Sequence, residues 1–88
     1  MQARSVFVNL QKYGITPASF EESTDEQVVD GMVSITDELY VQVAVFEPKM
    51  FLCRWITTEQ KTKAVKTIAS TRTIATLARH IKKELSHV

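Results

Sequence analysis

The chain has 88 residues, 44% hydrophobic and 24% charged, a balance that excludes a disordered or fibrous protein and fits one small globular domain. Its net charge of +1 favours neither polyanions nor cationic surfaces as partners. One cysteine excludes an internal disulfide, and no apolar run approaches the roughly 20 residues that span a bilayer.

These limits set the first expectations. A lone thiol suits a reducing compartment, and "MQARSVFVNLQKYG" is too interrupted by polar residues for a secretory signal, so a soluble, cytoplasmic chain with no membrane partner is expected. A domain this short buries only about two-thirds of its unfolded surface, which makes homo-oligomerisation an expected source of stability.

In residues 2–13, Ala3, Val6 or Phe7, Leu10 and Tyr13 recur every three to four positions, the spacing of one helical stripe. Gly14, Ile15 and Pro17 then form a stop signal: a residue free to turn left-handed, an apolar contact and a helix breaker. "STDEQVVDG" has two readings. Thr24 and Gln27 match a capping box at a helix start, whereas Asp30-Gly31 suits a hairpin turn between short strands.

From Met32 the pattern is strand-like. "MVSIT" alternates Val33 and Ile35 with polar residues, Asp37-Glu38 interrupts, and "LYVQVAVF" and "MFLCRWIT" follow on either side of Pro48-Lys49. "KAVKTIA", residues 63–69, supplies a fourth strand. In the last segment Ile74, Leu77, Ala78, Ile81 and Leu85 share a helical stripe, with Ser70 or Thr71 as N-cap. The expected fold is a single α+β domain over 1–88: an N-terminal helix, a three- to four-stranded antiparallel meander and a C-terminal amphipathic helix, with both helices on one sheet face.

The helix–strands–helix order, with "LQKYG" closing the first helix, resembles the double-stranded RNA-binding domain. That family's glycine-rich loop and the lysine cluster opening its second helix have no counterpart at "ASTRTIATL". The resemblance therefore implies an element order, and no residue takes a role from it.

The connection at Pro48 decides which side chains of the central hairpin share a face. A two-residue loop pairs Val43 with Arg54 and Ala44 with Cys53, and a four-residue loop keeps the same faces. Three or five residues shift the register by one and exchange the faces. The shifted register is the expectation, because it gathers the valines with the aromatics and keeps Arg54 out of an aliphatic core, where an unpaired guanidinium costs several kcal/mol. Cys53 and Trp55 then join the core with Phe51. The second face carries Tyr40, Gln42, Ala44 and Phe46 with Leu52, Arg54 and Ile56. Aromatics and arginine on one face suit a subunit interface, a second covering layer from residues 15–30, or a stacking platform for a ligand or single-stranded nucleic acid; the interface leads, with Tyr40, Gln42, Phe46, Leu52, Arg54 and Ile56 as its candidate residues.

Charge supplies a second candidate. Residues 1–48 carry −6 and residues 49–88 carry +7. Lys61, Lys63 and Lys66 beside the last strand, with Arg72, Arg79 and Lys83 on the last helix, form a basic set suited to phosphate contacts. Opposed halves also suit subunits that meet through complementary patches. His80, Glu84 and His87 fall on one helix flank, a weak metal pattern. The acidic group Glu21, Glu22, Asp25, Glu26 and Asp30 lacks the spacing that wraps calcium. No catalytic, metal or cofactor motif is legible: neither glycine lies in a phosphate-cradling loop, and no serine sits in a nucleophile elbow. The leading expectation is a small, non-enzymatic assembly or protein-interaction domain. Nucleic-acid binding comes second, and a ligand-binding protein or enzyme third.

Overall fold

A computed structural model describes residues 2–22, 29–44 and 49–86, with the side chains of 29 and 30 left aside. The element order is α1 (Ala3–Gln11), β1 (Ser19–Glu22), β2 (Val29–Ser34), β3 (Leu39–Ala44), β4 (Met50–Thr57), β5 (Lys63–Thr71) and α2 (Ile74–Leu85). The five strands form one antiparallel sheet in sequence order, β1-β2-β3-β4-β5. The α+β class is as expected, with five strands instead of three or four.

The additional strand is β1, "SFEE", which has too little alternation to be legible: Phe20 alone of its residues is not fully exposed. It pairs with β2, which begins at Val29 and carries Gly31 inside the strand, so Asp30-Gly31 is not a hairpin turn. Gly31 is where three elements converge. A methyl group there would run into the Glu21 carbonyl of β1 and come within 2.7 Å of the Ala3 Cβ on α1. The Thr24–Gln27 capping box lies outside the described residues.

Helix α1 ends as its sequence dictates. Gly14 adopts φ +80°, its amide donates to the Gln11 carbonyl (3.1 Å), and Ile15 donates back to Leu10 (3.3 Å). These paired bonds satisfy carbonyls that a helix end otherwise leaves open, and Ile15 is buried beside them. At α2 the N-cap is Thr73, not Ser70 or Thr71: its Oγ1 accepts from the Thr76 amide at 3.3 Å. Strand β5 runs through Thr71 because that buried residue still pairs with Met50, its hydroxyl 3.4 Å from the Met50 carbonyl.

One hydrophobic cluster holds the fold together. It joins Ala3, Val6 and Leu10 of α1 and Leu77, Ala78 and Ile81 of α2 to Val33, Leu39, Val41, Val43, Met50 and Leu52 of the sheet. Helix α1 packs on β1 and β2, α2 packs on β4 and β5, and the helices touch each other. The protein measures 35 × 31 × 20 Å, and its shortest dimension is about that of one sheet plus one helix layer.

Candidate interaction surface

The register of β3 against β4 sets what the other side of the sheet presents. Leu39 pairs with Arg54, Tyr40 with Cys53, Val41 with Leu52, Gln42 with Phe51 and Val43 with Met50. Ala44 donates to the Lys49 carbonyl at 3.0 Å, so residues 45–48 form the connection. A four-residue connection keeps the faces of the unshifted register, and the expected shift is corrected. Leu39, Val41, Val43, Met50 and Leu52 face the helices. Tyr40, Gln42, Phe51, Cys53 and Trp55 face the opposite way.

The candidate interface residues accordingly separate. Tyr40 and Gln42 lie on the face away from the helices. Leu52 is fully buried in the core and has no surface to offer a partner. Arg54 and Ile56 have the alternation of the helix side, and Phe46 lies outside the described residues. Cys53 and Trp55, expected in the core under the helices, belong instead to the opposite face.

Arg54 escapes the penalty that motivated the shifted register because it sits at the rim. Its side chain is 29% exposed, and the guanidinium reaches Glu84 of α2 at 3.3 Å and Glu38 of the β2–β3 turn at 3.4 Å. The Trp55 amide donates to the Glu38 carbonyl (2.8 Å), which fastens the same turn to β4. Glu84 thus serves an ion pair. Its flank partner His87 lies outside the described residues, and no group of three metal-binding side chains occurs among those described.

Successive rows cross the face away from the helices. Ser34, Tyr40, Cys53 and Thr67 are neighbours in one row, Glu21, Met32, Gln42, Phe51 and Ser70 in the next. No described helix packs here. Trp55 is 41% and Val65, its cross-strand partner, 47% exposed, while Phe51 and Met32 are half-buried. The Tyr40 and Trp55 rings meet diagonally with centroids 5.7 Å apart. Lys49 places its ammonium 5.7 Å from the Phe51 ring centre.

Cys53 and Tyr40 are buried on this face although no described helix packs against it. Burial pushes the Cys53 thiol up from its ordinary value, against opposing hydrogen bonds from Thr67 and Tyr40. Burial also raises the Tyr40 phenol, with the thiol alongside adding to the effect. A thiol held protonated is a poor nucleophile, which suits packing more than chemistry.

Beside Trp55, a half-open cleft of about 550 Å³ is lined by Asp37, Glu38, Trp55, Ile56, Thr57 and Lys63. The outer strand β5 carries Lys63 and Lys66 and a bulge that leaves Ile68 unpaired between Thr67 and Ala69. Charges and bulges on an edge discourage strand addition, so the edge is a poorer docking site than the face.

The basic residues do not converge on one face. Lys61, Lys63, Lys66, Arg72, Arg79 and Lys83 are all exposed, but the β5 register puts Lys63 on the open face and Lys66 on the helix side. Lys61 occupies the β4–β5 turn with φ +61°, and Arg79 and Lys83 lie on α2. No helix among the described residues is long and apolar enough to cross a membrane.

Sequence reasoning missed Phe51, Cys53, Trp55 and Val65 as open-face residues. The signal available was Glu84, one turn from Ile81 on α2 and of the right charge to receive Arg54, which removes the objection to the unshifted register. No protein-family model matches this chain, and no curated protein or solved structure matches it either.

Proposed function

We propose that this chain is a small interaction domain that works by assembly, with the open sheet face as its contact surface. The observation behind this reading is the set Trp55, Val65, Phe51 and Met32, partly or largely exposed on a face that no described helix packs against. Contiguous apolar surface with aromatic content is characteristic of protein–protein contacts, and a large exposed patch is unusual on a domain that acts alone. The lone thiol keeps the expectation of a reducing, cytoplasmic setting.

Sedimentation velocity at 5–200 µM tests it, where these concentrations are about those of weak interfaces. The expected result is a sedimentation coefficient that rises with concentration and falls back to that of one chain in Trp55→Glu. A single-chain particle at every concentration overturns the reading.

Nucleic-acid binding is the second reading. It rests on six exposed basic residues, Lys61, Lys63, Lys66, Arg72, Arg79 and Lys83, none of them in an ion pair among the described residues. Anisotropy with short RNA and DNA should then show binding that weakens steeply with salt and with Lys63→Glu plus Arg79→Glu. No salt-sensitive binding at low ionic strength ends it.

A further inference from the structure

We infer that the cleft beside Trp55 binds a small zwitterion, an α-amino acid with an apolar side chain, its ammonium held at Asp37 and its carboxylate at Lys63. Neither the site nor its ligand depends on the assembly proposed above.

Strands β3 and β4 stop pairing at Leu39 and Arg54. Strand β4 runs on through Trp55 and Ile56 to Thr57, accompanied by β5 as far as Lys63. On its other side β3 has given way to the turn, which leaves a step beside the end of β4, bordered by the cleft of about 550 Å³. That volume falls among small-molecule sites, roughly 300–1,000 Å³. The acidic turn and β5 are separated by β4, a gap of about 10 Å across its strand spacings, which suits a small molecule. The Trp55 amide donates to the Glu38 carbonyl at 2.8 Å. Alternate residues of an antiparallel strand aim N–H and C=O to the same side, so Thr57 aims its own towards the step, where β3 supplies no partner.

The residues around the cleft offer three kinds of contact. Trp55 and Ile56, 41% and 40% exposed, give apolar surface for a hydrocarbon side chain. Glu38 is already engaged by Arg54 at 3.4 Å, whereas neither Asp37 nor Lys63 has an ion pair among the described residues. Asp37 and Lys63 line one cleft without meeting, so its unmatched charges are one of each sign. A simple cation that meets Asp37 is opposed by Lys63, and a simple anion meets the converse conflict. A ligand carrying both charges satisfies both residues, and like-charge repulsion rejects the others. The Thr57 N–H, on the residue paired with Lys63, adds a donor for the same carboxylate. A molecule of so few atoms in a half-open cleft binds weakly, with a dissociation constant of about 0.1–1 mM.

Trp55 is the chain's single tryptophan, so its fluorescence reports on the cleft directly. L-leucine, which has no chromophore of its own, is the probe, titrated to about 50 mM at constant ionic strength. Protein at about 1 µM keeps self-association out of the signal. The expected result is a saturable change, matched in nuclear magnetic resonance by shifts of the Asp37, Thr57 and Lys63 amides. Leucinamide lacks the carboxylate and N-acetylleucine lacks the ammonium, so each should bind about threefold to tenfold more weakly. Lys63→Gln should weaken leucine by a similar factor and bring leucinamide level with it, and Asp37→Asn should do the same for N-acetylleucine. Both positions are exposed, where substitution rarely costs a fold. No saturable response in either fluorescence or amide shifts overturns the inference. So does leucinamide or N-acetylleucine binding the native chain as tightly as leucine, which points to one terminus of a peptide instead. Leucine affinity unchanged in either variant overturns it as well. A chain that self-associates without binding leucine keeps the assembly reading and loses this one; a chain that binds leucine as a single particle does the reverse.

Discussion

Replacing Leu52 and Trp55 by alanine in separate variants tests which side of the sheet is covered, because β4 sends these two residues to opposite faces. Leu52 is fully buried, set between Val41 on β3 and Ala69 on β5 in the core beneath the helices. Its truncation leaves a cavity that packed neighbours fill only in part, and costs about 2–5 kcal/mol. For a domain of this length, whose whole stability is roughly 4–13 kcal/mol, that is a large fraction. Trp55 is the larger side chain, yet it is 41% exposed and, among the described residues, its ring contact is Tyr40. Losing that contact and the remaining burial costs about 1–2 kcal/mol, the aromatic pair supplying roughly half to all of it. Urea unfolding followed by far-ultraviolet circular dichroism measures both, since the chain has no second tryptophan to report by fluorescence. Dilute protein keeps self-association from adding to the apparent stability. A Trp55→Ala variant as destabilised as Leu52→Ala, or a Leu52→Ala variant within about 1 kcal/mol of the native chain, would refute the register and the open face with it.

Three further outcomes are expected. Gly31→Ala should cost about 3 kcal/mol or more in the same urea assay, because the new methyl meets the β1 backbone as well as Ala3, and Ala3→Gly should return only part of the loss. A change under about 1 kcal/mol would show that α1 and β1 do not approach β2 closely. Thr73→Ala should lower stability by about 1 kcal/mol through loss of the Thr76 amide bond at the start of α2, with Thr73→Asp retaining most of it. Thermal stability should decline in alkali. The thiol and phenol keep their protons longer in the folded chain, so their contribution is complete below the ordinary values of 9.0 and 10.0 and is lost as pH rises through the raised folded values. Melting temperatures taken from pH 8 to 11 should fall less steeply in Cys53→Ala and Tyr40→Phe, on a pH scale about the ordinary thiol and phenol range; parallel curves would contradict the assignment.

Local chemistry was legible wherever a short stretch carried its own constraint. The stripe Ala3, Val6 and Leu10 and the stop at Gly14 followed from helical spacing and from a residue that turns left-handed without penalty. The alternation of Val33 and Ile35 against Ser34, and of Val41 and Val43 against Gln42, marked strands before any partner was known. Alternation also separated Arg54 from Cys53 and Trp55, since adjacent strand residues always point apart.

Which of the two faces met the helices was not local information. It depended on the length of the connection at residues 45–48 and on Glu84, 30 positions beyond Arg54, arriving at the rim of the sheet. An arginine on the helix side needs no burial if a carboxylate waits where the helix ends, and only the tertiary arrangement brings the two together. For the same reason β1 stayed hidden: four residues with Phe20 as their sole inward anchor become a strand because β2 offers a free edge. The sequence by itself determined the helices, the meander and the division of side chains into two sets. Tertiary packing decided which set became the core and left Trp55, Val65 and Phe51 on the face that no described helix covers.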